Sequence, residues 1–259
     1  MTLDSNSESA PETETTGQQN IFSRLMGVYF SPGKTFRDIG RSPRPLMPVI
    51  TMVVIGLLLG FYLTRALDFR ALVIEQLDTA VAQGRITEEQ IDQLLPLFIK
   101  VAPIQTVVGS ALGGLFVSLI IAGGFKLISM LIGAENRFKA IFAVTIYTVL
   151  AILIISYTLF ILVLSFKDPS DVTIQNLNSM VNSNLGAIIA GLFGREVLPK
   201  FLMKLAGWID IFAIWTIALL AIGYSAVSRK LKTATAAVWL SSVYGIVAVI
   251  GSLIASIFS

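Results

Sequence analysis

The chain has 259 residues, of which 55% are apolar and only 14% are charged, whereas an average soluble domain is about one-quarter charged. Its formal charge of +3 comes from short basic clusters beside apolar runs, a pattern that points to anionic lipid headgroups and away from nucleic acid. With no Cys and no His, disulfides, thiol chemistry, imidazole bases and nearly all zinc or haem sites are excluded, and no metal or cofactor is expected.

Residues 1–20 hold Asp4, Glu8, Glu12 and Glu14 among Ser, Thr and Gln, with no Lys or Arg. That composition predicts a disordered acidic tail. It is also the reverse of a secretory signal, so the first span is expected to direct insertion. Residues 21–44 form a cytoplasmic amphipathic and basic segment. Ile21, Phe22, Leu25, Met26, Tyr29 and Phe30 share one face, and Ser31 is placed to cap a helix that starts at Pro32. Such a segment is expected to lie in the cytoplasmic headgroup layer. Gly33, Lys34 and Thr35 imitate the end of a phosphate-binding loop, but Val28 stands where that loop needs Gly. A basic helix start at the membrane surface explains them better.

From residue 45 to 259 the sequence reads as an all-α membrane domain with five spans: Pro45–Thr64, Pro103–Ile132, Ala140–Phe166, Leu205–Val227 and Ala234–Phe258. Each exceeds the roughly twenty residues that cross a hydrocarbon core of about 30 Å. Lys34, Arg37, Arg41 and Arg44 precede the first span, Arg137 and Lys139 fill the second connection, and Arg229, Lys230 and Lys232 fill the fourth. The positive-inside rule makes these three places cytoplasmic, so the N-terminus is inside and the C-terminus outside.

The first outer connection predicts two helices. Leu72, Leu77, Ala80 and Val81 mark the first, which stops at Gly84. Thr87 with Gln90 opens the second, which carries Ile91, Leu94, Leu95 and Phe98, with Pro96 kinking or ending it. The third connection runs from Asp168, Pro169, Ser170 and Asp171 through Asn176, Asn178, Asn182 and Asn184, which favour turns. Leu185–Phe193 is too short to cross and reads as re-entrant or interfacial; joined to Val197–Met203 it would instead make the count even.

Two charges fall inside the spans, Lys126 and Asp210. Lys126 lies far enough along its run to snorkel to the cytoplasmic interface. Asp210, between Trp208 and Trp215, needs a partner or a proton: a loop backbone, Arg195, Lys200 or Lys204 on a structural reading, a proton or cation site on a functional one. Gly56 with Gly60 and Gly109 with Gly113 are spaced one turn apart, where helix backbones approach closely. Packing within the bundle explains them more simply than a dimer face. Trp208, Trp239, Tyr62 and Tyr224 suit aromatic belts.

Several stretches together resemble the Yip (Ypt/Rab-interacting protein) domain family in its bacterial form, over residues 21–259. They are Phe22 to Phe36 with Ser31 and Pro32, the short turn Gly133 to Phe138 before a span with Tyr147, and Asp210-Ile211-Phe212-Ala213-Ile214-Trp215 leading to Gly223 and the Ser228 to Lys232 turn. The resemblance implies a five-span bundle with a cytoplasmic N-terminus and no known catalytic activity. Eukaryotic relatives work with small GTPases, but their Asp-Leu-Tyr-Gly-Pro signature is absent here, so GTPase binding is not carried over. The expectation is a non-enzymatic multi-pass protein of the bacterial cell membrane that organises or tethers, with the bilayer, other membrane proteins or further copies of itself as partners. Two other readings stand behind it: a small transporter or channel using Asp210, and a membrane enzyme using Glu88, Glu89 and Asp92.

Overall fold

Long apolar runs with few breakers leave the chain one way to pair its backbone groups in lipid, the helix. The computed structural model describes residues 20–131, 133–167, 172–173, 184–194 and 196–257, and all regular structure among them is helical. Ten helices occur there: α1 (Ile21–Phe30), α2 (Pro32–Arg41), α3 (Leu46–Ala66), α4 (Phe69–Ala82), α5 (Glu88–Leu131), α6 (Phe138–Ser165), α7 (Leu185–Phe193), α8 (Lys200–Ala206), α9 (Ile211–Val227) and α10 (Thr233–Ile257). The acidic tail, Asp168 to Asp171 and the Asn-rich stretch before Asn184 lie outside the described residues.

Four helices, α3, α5, α6 and α10, are long and apolar enough to cross a membrane; the chain is a multi-pass membrane protein. The expected span Leu205–Val227 is not one helix. It divides into α8 and the 17-residue α9, separated at Gly207–Asp210. Alone, α9 rises about 25 Å, short of a hydrocarbon core of about 30 Å. The break has a local cause: Asp210 is extended and its Oδ1 accepts from the Phe212 N–H at 2.6 Å, the bond that starts a new helix.

The expected second span also differs. It is the C-terminal part of a 44-residue helix that begins at Glu88 and runs through Pro96 and Pro103. Each proline removes one N–H, yet the helix continues past both, packed along its length on α3 and α4. At about 66 Å, α5 is twice the thickness of the hydrocarbon, so its first turns leave the lipid and pair with α4. The connection between them matches expectation. Gly84 has φ 67° and closes α4 through Arg85 N–H to Ala80 O at 2.9 Å, and Gln90 Oε1 accepts from the Thr87 N–H at 2.8 Å.

The centre of the bundle is the first half of α6. Nearly every residue from Ala140 to Ile152 is buried, enclosed by α1, α2, α3, α5 and α9. The N-terminal segment packs on the bundle through Arg24, Leu25 and Val28 of α1, whereas Phe22, Met26 and Phe30 of the expected apolar face stand exposed. Val28, Phe36 and Ile39 are fully buried, and Phe36 sits over Gly223, which itself lies against Val144.

Gly56 and Gly60 of α3 press on the α5 backbone. A Cβ on Gly56 would overlap Ser110 O, and one on Gly60 would fall 2.7 Å from Val107 Cα. Gly109 and Gly113 face open space, with nothing within 4 Å. Gly56→Ala should therefore cost about 1–3 kcal/mol by overpacking, whereas Gly109→Ala should be neutral or gain up to about 1 kcal/mol from helix propensity. Thermal melts of the two variants in one detergent check the contrast; equal melting temperatures would refute it.

Candidate functional site

The most chemically distinctive region is the end of the bundle where three basic segments meet. Lys34, Arg37 and Arg41 recur at spacings of three and four along α2, so they share its outer face, and all are exposed. Arg37 Nε donates to Gly33 O at 3.1 Å, which lays its side chain along the helix. The opposite face of α2 holds Phe36 and Ile39 in the core, and Gly40 lies against Val227 at the end of α9. That contact brings α2 beside the Ser228–Lys232 turn. A second contact brings in the α5–α6 connection: Asn136 Nδ2 donates to Ser228 Oγ at 3.3 Å. Arg137, Lys139, Arg229, Lys230 and Lys232 are all exposed there.

α1 and α2 form an antiparallel hairpin that turns at Ser31. Arg24 on α1 is buried and bonds twice across it, from Nε to Asp38 Oδ2 at 3.0 Å and from Nη1 to Ser42 O at 3.2 Å. Arg24 Nη2 also lies 2.8 Å from Asp38 Oδ2. Gly27 allows Thr35 to come close, because a Cβ there would overlap the Thr35 side chain. Ser31 stands at the expected cap position but makes no side-chain cap bond; its carbonyl accepts from Thr35 Oγ1 at 3.0 Å. Near the turn, Tyr29 OH donates to Ala151 O at 2.6 Å, tying the hairpin to α6. Burial raises the Tyr29 pKa above a phenol's ordinary 10.0, so the ring keeps its proton and remains a donor.

Lys126 closes the same end from the inside. Its Nζ donates to Asn136 O at 2.9 Å and to Asn136 Oδ1 at 3.2 Å, and the buried Ser129 Oγ lies 3.2 Å from that same Oδ1. The geometry depends on Gly133, whose φ of 64° turns the chain after α5 while Ala134 N–H bonds back to Ser129 O at 2.8 Å. Lys126 is thus half-buried and satisfied by the connection that follows its own helix. Asp210 stands elsewhere, at the start of α9 beside α7: Leu185 N–H donates to Ile209 O at 2.8 Å, and Asn184 and Asp210 form an isolated antiparallel bridge. The structure does not bring Lys126 and Asp210 together.

Asn136, Arg24 and Asp38 were not singled out by sequence reasoning. Asn136 carried no signal beyond lying in a short connection, and the Arg24–Asp38 spacing of fourteen residues becomes meaningful only once a hairpin is known. Among the described residues, no three acidic side chains gather where they could hold a metal ion.

Asn136→Ala removes the acceptor shared by Lys126 and Ser129 and the donor to Ser228, and should cost about 1–2 kcal/mol. Ser228→Ala should cost less in that background than in the parent chain, because the two side chains share a bond. A double-mutant cycle from thermal melts measures this; strictly additive effects would mean the bond does not form.

No curated protein and no solved structure matches the chain. The Yip1 domain model, by contrast, matches residues 26–255, from the second turn of α1 to the last turn of α10. The chain is a member of the Yip1 domain family.

Proposed function

We propose that this protein is a non-catalytic organiser of the cell membrane, which seats its basic end on the anionic cytoplasmic leaflet and there gathers lipid and neighbouring membrane proteins. The observation that carries this reading is the convergence of Lys34, Arg37, Arg41, Arg137, Lys139, Arg229, Lys230 and Lys232, from three separate parts of the chain, on one end of the bundle. Each basic residue near an anionic surface contributes about 1 kcal/mol, so the group supplies a strong local field. Asp38, one of the few acids in these segments, is paired with Arg24 and does not cancel it.

In this proposal the chain crosses five times, with the N-terminus inside and the C-terminus outside. α9 supports the count despite its length, because it begins beside Tyr244 and Gly251 of α10, where Trp208 packs, and returns to the basic end at Val227. The fourth crossing is then a broken one, made of α8, the Gly207–Asp210 segment and α9. Because the chain has no cysteine of its own, single-cysteine variants report sidedness directly. Lys139→Cys and Lys230→Cys should resist an impermeant maleimide in intact cells, whereas Arg70→Cys and a Cys added after Ser259 should react. Protection of the added Cys would leave four crossings or another even count.

The organising role has its own test. Reconstituted protein should enrich a fluorescent anionic phospholipid around itself, read by energy transfer from its tryptophans. Joint replacement of Lys34, Arg37, Arg41, Arg229, Lys230 and Lys232 by Gln should abolish the enrichment; an undiminished signal would remove the proposal.

A further inference from the structure

Beyond the basic end, the bundle holds an apolar groove of about 500 Å³ between α5, α9 and α10. α5 packs on α3, α4 and α6, whereas α10 packs on α8 and α9, and the groove opens where these two sets part. Phe125 and Leu220, both nearly fully buried, form its floor, and Ile120, Gly124, Val243 and Val247 stand exposed along its rim.

The two hydroxyls that line it are already used. Thr216 Oγ1 donates to Phe212 O at 2.7 Å and Tyr244 OH to Trp208 O at 2.8 Å. A dry space of this size offers water no partners, and left empty it would forfeit the dispersion contacts of its whole lining. Hydrocarbon fills it at no desolvation cost. The volume matches roughly sixteen methylene-sized units, counting each as about the size of a water molecule.

The position of the groove selects the headgroup. Trp208 closes the end remote from the α9–α10 turn, its ring against Gly251 and its carbonyl held by Tyr244. The other end, at Leu220 and Leu240, lies about 12 Å along both helices from the turn that carries Arg229, Lys230 and Lys232. We propose that the groove binds the acyl chains of an anionic phospholipid whose headgroup phosphate sits on Arg229, Lys230 and Lys232. The assignment rests on the reading of the basic end as the surface facing the headgroups.

Trp208 lines the groove and makes the test direct. With Trp215→Phe and Trp239→Phe it is the sole indole of the three in the chain, and in lipid nanodiscs its fluorescence reports quenching by phospholipids brominated on their acyl chains. At equal mole fraction, anionic lipid should be preferred over zwitterionic lipid by at least about fivefold, the ratio that one basic residue near the surface supplies. Gly124→Leu should abolish the quenching, because Gly124 lines the groove and its Cβ position is open. Gly109→Leu, which also faces open space on the same helix but is not part of the groove lining, should leave it intact.

Joint reversal of Arg229, Lys230 and Lys232 to Glu should remove the preference while quenching persists. Undiminished quenching in Gly124→Leu overturns the groove. Equal quenching by both lipids overturns the choice of headgroup. Quenching that rises as the protein is diluted in lipid identifies a second copy as the occupant and overturns the proposal as well. Lipid enrichment around the protein is read separately, so it can fail while the groove stands, and the reverse.

Discussion

Every part of the basic end depends on contact with the first half of α6. In a bilayer, apolar side chains gain little by leaving lipid for another helix, so helices associate through close packing and hydrogen bonds. α6 supplies both between Ala140 and Ile152. Val144 and Phe36 both close on Gly223, Thr145 lies 2.7 Å from Tyr224 in the interior, and Ala151 accepts from Tyr29. Phe125 stacks on Tyr224 at 3.7 Å between ring centroids, which joins α5 to the same cluster. Because α2, α5 and α9 all register on this one segment, their basic ends come out together.

The polar contacts follow from that arrangement and then fix it. The Arg24 guanidinium would be costly to bury alone, and the turn at Ser31 delivers Asp38 and Ser42 to it. Asp38 remains partly exposed, at 39% of its side chain, so solvent weakens the ion pair and its larger value is in fixing the register of α1 on α2. Lys126 is handled in a comparable way: the left-handed turn at Gly133 returns Asn136 to it, so an ammonium on an apolar helix is satisfied without an acidic partner.

Much of this fold was legible in the sequence, because a lipid-facing helix must be a long apolar run and the runs are long. The Gly84 stop and the Thr87–Gln90 start were readable since each is a local bond between near neighbours. Contacts across the chain were not. Tyr29 and Ala151 stand 122 residues apart, and nothing in the amphipathic pattern of α1 tells that Leu25 and Val28 meet protein while Phe22, Met26 and Phe30 stay exposed. The glycine pairs show the same limit. Gly56–Gly60 and Gly109–Gly113 have identical spacing, yet one pair meets a backbone and the other meets open space, because spacing does not say which face finds a neighbour. Mean apolarity also concealed the break before α9, since Gly207, Trp208, Ile209 and Asp210 barely lower the average of the run around them.

In the proposed five-crossing arrangement, that break meets a strict physical condition. Backbone outside a helix survives at membrane depth only where its polar groups are paired by protein or line a water-filled space. The Gly207 N–H reaches back to Lys204 O at 3.1 Å, the Trp208 carbonyl takes the Tyr244 hydroxyl, the Ile209 carbonyl takes the Leu185 N–H, and Asp210 supplies the acceptor that starts α9. Gly186 lets α7 sit directly on this segment, where a Cβ would meet Gly207 N at 2.8 Å. α7 is thus held by the non-helical segment whose carbonyl it satisfies, which gives a nine-residue apolar helix too short to cross a membrane a structural reason to be there. The same bonds set the place of Trp208, so the end wall of the α5–α9–α10 groove and the divided helix have one origin.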